Sequence, residues 1–157
     1  MNGVNAMADT TALKKRIEPH VQEWLGVQFG VRFRRRTVPL TGQGTVGKHQ
    51  FAAVSEDGKI VASVKNHSAE TTGDNLPSGK IDSCYAEIYY LSLVQAEKKL
   101  LVLTDREFCR LFSMQSAGMV VEGIDILHCP LPPDLEKIKN AVRRIASAEI
   151  DDGKTRI

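Results

Sequence analysis

Two short apolar stretches bring lysine, serine and histidine close together. His49-Gln50-Phe51-Ala52-Ala53-Val54 and Ile60-Val61-Ala62-Ser63-Val64-Lys65 flank Ser55-Glu56-Asp57-Gly58-Lys59, and His67 follows two residues after Lys65. Residues two apart on a strand point the same way, so Ser63 and Lys65 share a face. A lysine with His49 and His67 nearby is material for general acid–base chemistry, although scattered histidines more often serve as hydrogen-bonded structural residues. Neither stretch contains a carboxylate, the group a hard divalent cation needs. The acids that other segments could bring are Glu18 and Glu23 in the first helical pattern, and Asp82 and Glu87 in a later one. For each of these the ordinary role is a solvated helix charge.

A second feature is basic. No acid occurs between Glu23 and Glu56, while Arg32, Arg34, Arg35, Arg36 and Lys48 do. If residues 31–38 form a strand, Arg32, Arg34 and Arg36 lie on one face at a spacing of roughly 7 Å, suited to a phosphate backbone. The glycines at 42, 44 and 47 would let backbone amides approach the same anion. The same arginine row equally protects an edge strand from pairing with another chain. Aromatic residues are only 6% of the chain and Phe33 alternates to the other face, so a base-stacking platform is not supported. No Walker A, GxGxxG, GxSxG or HExxH pattern is present. Cys84, Cys109 and Cys129 make no CxxC pair and read as reduced, mostly buried thiols.

Positioning these side chains falls to an ordinary globular composition. The chain has 157 residues, is 42% hydrophobic and 25% charged, and balances 21 Lys+Arg against 19 Asp+Glu. A net charge of +2 argues by itself for neither nucleic acid nor membrane. The first ten residues lack a basic and apolar leader, and no apolar run approaches the roughly 20 residues of a membrane span, so the expectation is a cytoplasmic protein with no membrane partner. One domain is expected over residues 10–149, with a flexible N-terminus at 1–9 and a tail at 150–157.

Leu13, Ile17, Val21, Trp24 and Leu25 recur at helical steps, with Pro19 either kinking the helix or opening a second one. Strands are expected at 31–38, 49–54 and 60–65, the last two joined at the Asp57-Gly58 turn. A long polar loop leads to a helix at 81–97 with Tyr85, Ile88, Leu91 and Val94 on one stripe and Tyr89 widening it. Leu100 to Leu103 suits a buried strand. Thr104 and Glu107 have the spacing of a capping box before a helix burying Phe108, Leu111 and Phe112. Ile124 to Leu127 is another strand, and Pro132-Pro133 opens a helix carrying Leu135, Ile138, Val142 and Ile145. The order α-β-β-β-α-β-α-β-α describes an α/β fold with a central mixed sheet flanked by helices.

That order, with the segment from His49 to Lys65, resembles the restriction-endonuclease-like, or PD-(D/E)XK, nuclease superfamily over residues 12–128. In that family one strand carries an acid, and the next carries an acid, a spacer and a lysine. The carboxylates hold Mg²⁺ and the lysine positions or activates the attacking water. The resemblance makes Lys65 the retained motif lysine, with Ala52 and Ser63 standing where the acids would be. It therefore implies a catalytically degenerate nuclease-like domain, without cofactor, that binds nucleic acid or a protein partner. Arg32, Arg34, Arg35, Arg36 and Lys48 would supply the nucleic-acid contacts. Two alternatives stay open. One is an active Mg- or Mn-dependent nuclease whose acids migrate to Glu18, Glu23, Asp82 or Glu87, as acids do elsewhere in the family. The other is a protein-interaction module, including a homodimer, with no nucleic-acid role.

Overall fold

A computed structural model describes residues 3–41, 47–70 and 75–154. The elements run α1 Gly3–Phe29, β1 Phe33–Leu40, β2 Gly47–Ser55, β3 Ile60–Lys65, α2 Ser78–Ser92, β4 Lys98–Leu103, α3 Arg106–Gln115, β5 Ile124–His128 and α4 Pro133–Lys154. The five strands form one sheet in the order β1-β2-β3-β4-β5. β1, β2 and β3 pair antiparallel, and β3, β4 and β5 pair parallel. This is the mixed, helix-flanked sheet expected from the periodicities, with a restriction-endonuclease-like topology.

The chain forms two compact units, one comprising Val21–Pro130 and the other Met1–His20 with Leu131–Ile157. In the second unit Leu13, Ile17, Leu135 and the Lys139 side chain are buried. Ile138 and Val142 are half-buried, and the Ile145 side chain lies outside the described residues. Arg16 and Asp134 pair at 3.3 Å, but both are more than half exposed, so the pair contributes at most about 1 kcal/mol. Pro19 neither opens a new helix nor ends the first; α1 continues through it. It stops at Gly30, whose φ of 68° is left-handed and whose N–H bonds the Gly26 carbonyl.

The sheet unit is built in layers. Phe51, Val54, Val61, Leu101 and Leu103 form a core with Ile81, Cys84, Ile88 and Leu91 of α2 and with Phe108 and Phe112 of α3. Ala53 and Ala62 pair across β2 and β3, have no exposure, and alternate with Val54 and Val61, so they line the opposite face. On α1, Val21 and Leu25 are fully buried, and Gln22 Nε2 donates to the Ala52 carbonyl at 2.8 Å. Between β2 and β3 the expected turn forms. Gly58 has φ 72°, and Ser55 Oγ donates to Asp57 and accepts from the Ile60 N–H.

One irregularity sets the rest. Arg34 pairs with Val54 and Arg36 pairs with Phe51, so one residue on β1, Arg35, faces two on β2. This is a β-bulge at Ala52-Ala53, and it reverses the alternation along β2. Phe51 and His49 consequently share the α2-facing side with Val54 and Val61. Without the extra residue they would point to the α1 side.

Several local expectations are corrected. β1 starts at Phe33, so Arg32 precedes the strand and does not join a row with Arg34 and Arg36. α2 covers Ser78–Ser92, not 81–97, and its Tyr89 is 62% exposed; Cys84 and Ile81 complete the buried stripe instead. Leu111 is half-buried beside the buried Phe108 and Phe112. Thr104 does not cap α3. Asp105 does, accepting from the Phe108 N–H at 2.9 Å, because Thr104 still belongs to the β4 end, where its N–H bonds the Lys65 carbonyl.

Candidate functional site

β3 ends in Ser63-Val64-Lys65, with Ser63 only 2% exposed. Both side chains face α2, and the helix answers with a carboxylate. Glu87 lies three residues after the buried Cys84 and beside the buried Ile88, on the flank of α2 nearest β2 and β3. Ser63 Oγ donates to Glu87 Oε2 at 2.7 Å. His49 Nε2 stands 3.3 Å from the same oxygen, a contact satisfied when Nε2 carries the ring proton. Lys65 Nζ lies 4.0 Å from Oε1. Three strand residues from β2 and β3 thus converge on one helical acid.

The cluster has an aromatic wall. The His49 ring stacks on Tyr90 at a centroid distance of 3.9 Å and meets the Phe51 ring edge-on at 4.7 Å. Tyr90 lies three residues after Glu87, so both occupy the same flank of α2. Side-chain exposures of 26% for Lys65, 22% for His49 and 17% for Glu87 leave the cluster partly shielded yet open to solvent.

His67 is not part of it. Its Nε2 is buried with no hydrogen-bond partner, and its ring packs edge-on against Phe108 at 5.5 Å. Burial, then the charges of Lys65 and Lys80, pushes its pKa down to about 4, so it is neutral at physiological pH. Ala52 is half-buried in the bulge. Asp82 and Glu23 are exposed, Asp82 being five residues before Glu87 and so on another side of the helix. Glu18 belongs to the helical unit. Of the four acids named from the sequence, Glu87 is the one that reaches Lys65.

Arg34, Arg35 and Arg36 are exposed on β1, an edge strand, and Lys48 is exposed on β2 opposite Pro39. Cross-strand pairing puts Arg34 and Arg36 on the face of Val54 and Phe51, the face that carries Lys65, and Arg35 on the other. The glycine cluster at 42–46 lies outside the described residues.

A hard cation such as Mg²⁺ wants several oxygen ligands. Here one carboxylate is shared among a hydroxyl, an imidazole and an ammonium group. Among the described residues no group of three or more His, Cys, Asp or Glu side chains stands where it could hold a metal ion. The donor set does not fit the metal of the nuclease family. The three thiols are free; burial pushes Cys84 and Cys129 up to about 12 and also raises Cys109, so none is an activated nucleophile. Among the described residues no helix is long and apolar enough to cross a membrane.

Sequence reasoning placed Ser63 on the face of Lys65 and His49 near it, named Glu87 without joining it to them, and missed Tyr90. The usable signal was on α2, where Glu87 interrupts the edge of an otherwise apolar stripe. Comparison of the chain with protein-family models, curated proteins and solved structures finds no match to any of them.

Proposed function

We propose that this chain is a nuclease-like domain that does not cleave and acts by binding nucleic acid across the sheet face carrying Lys65, Arg34 and Arg36. One observation carries the reading: both oxygens of Glu87, the carboxylate beside the motif lysine, face protein donors. The positions where the family has acids hold Ala52 and Ser63, and Ser63 uses its hydroxyl to hold Glu87 in place. What remains is a lysine, a histidine and two arginines on one face, a set that suits phosphate better than a divalent cation.

The rival reading, an active nuclease with migrated acids, gains Glu87, but among the described residues no group of three or more His, Cys, Asp or Glu side chains stands where it could hold a metal ion. A single assay separates the two. Duplex DNA or RNA should bind with an affinity that falls steeply with salt, and neither Mg²⁺ nor Mn²⁺ should bring about cleavage. Metal-dependent cleavage abolished by Lys65→Ala would establish the rival. Absence of binding at low salt would remove the nucleic-acid reading and leave a protein partner.

A further inference from the structure

A backbone phosphate arriving at this cluster would find its place taken by the protein's own carboxylate. Glu87 presents Oε1 to Lys65 Nζ at 4.0 Å and Oε2 to His49 Nε2 at 3.3 Å, as two non-bridging phosphate oxygens would. Ser63 Oγ, anchored on a buried strand position, fixes the carboxylate there at 2.7 Å. The family resemblance gives Glu87 no such part, since an acid there would serve a metal, and the donor set does not fit one.

Building on the nucleic-acid reading above, we propose that Glu87 is an internal competitor of phosphate. It engages Lys65 and His49 in the free protein and has to yield them when a phosphate of the nucleic-acid backbone binds. The electrostatics follow from the geometry. A carboxylate within about 4 Å of the lysine cancels most of its attraction for a second anion and repels that anion directly, more strongly at a partly shielded site than in open solvent. The free domain is thereby held at reduced affinity, and the Ser63 hydrogen bond sets how firmly. Arg34 and Arg36, exposed on the same face, attract the backbone without this restraint.

The test uses the full chain and a fluorescently labelled duplex DNA of mixed sequence, titrated by anisotropy over a series of salt concentrations. Glu87→Gln keeps an oxygen for Ser63 and removes the charge. It should tighten binding about five- to tenfold at low salt, with the gain shrinking as salt rises. The log–log salt slope should steepen by about 0.9, the signature of one more neutralised phosphate. In a Lys65→Ala background the gain should vanish. Ser63→Ala loosens the carboxylate without removing it and should tighten binding by a smaller factor; it carries the test if melting curves show that Glu87→Gln does not fold.

If wild-type protein binds and folded Glu87→Gln binds no better, the competitor role is wrong and the nucleic-acid reading stands. A gain that persists without Lys65 would also overturn the role, because it would reflect general loss of negative charge. If neither wild type nor Glu87→Gln binds, both ideas fall together.

Discussion

At the scale of single residues, two buried polar atoms among the described residues stand out because nothing pairs with them. Thr104 is 2% exposed and its Oγ1 has no hydrogen-bond partner. An unpaired buried hydroxyl costs about 1–3 kcal/mol. Thr104→Val keeps the branched shape and removes that cost, so the variant should be more stable by about 1 kcal/mol in urea denaturation. The second atom is Nε2 of His67, whose ring stays neutral down to about pH 4 in the folded chain. An unfolded histidine takes up its proton near pH 6.5. Between those values the unfolded state binds a proton that the folded state refuses. Stability contributed by neutral His67 is therefore complete above pH 6.5 and declines as pH falls toward about 4. Chemical denaturation at a series of pH values should show this slope, and His67→Phe should flatten it.

Among the elements, the β2 bulge and the start of α3 were the least readable from sequence. Asp105 closes the first turn of α3 with a bond to the Phe108 N–H. Asp105→Ala should cost about 0.5–2 kcal/mol, read as a lower midpoint at unchanged denaturant slope. From sequence, Thr104 and Glu107 offered an equally good capping pair one residue earlier. Propensity could not decide, because the length of β4 fixes where the helix starts. The hairpin at Asp57-Gly58 and the element order were legible because turn chemistry and hydrophobic period are local properties. The bulge was not. Phe51-Ala52-Ala53-Val54 carries no glycine and no break in pattern, and only pairing with β1 shows the extra residue. The site was legible to the same extent: Lys65 and Ser63 followed from two-residue alternation, while the convergence on Glu87, 22 residues after Lys65, depends on how α2 lies on the sheet.

For the whole molecule, the balance of 21 basic and 19 acidic residues conceals a division by face. Arg34 and Arg36 lie beside the Lys65 face, Arg35 lies behind it, and Arg32 precedes the strand. Nucleic-acid binding through this face should lose close to 0.9 of salt slope for each of Arg34→Ala and Arg36→Ala. Arg35→Ala should change the slope less, a comparison that a general loss of positive charge could not produce. The same arginines shield an exposed sheet edge, so loss of both should also raise the tendency to self-associate, measurable by light scattering.

The buried thiols give the fold a built-in clock. Cys84 and Cys129 have no exposure, whereas Cys109 is half-buried. Alkylation of Cys84 has to wait until α2 lifts from the sheet, and Cys84 sits one turn before Glu87 on that helix. Its labelling rate therefore counts how often the helix holding the carboxylate opens. Cys129, directly after the edge strand β5, times the opening of that edge of the sheet. A ligand that replaces Glu87 at Lys65 would change one rate and leave the other as it was.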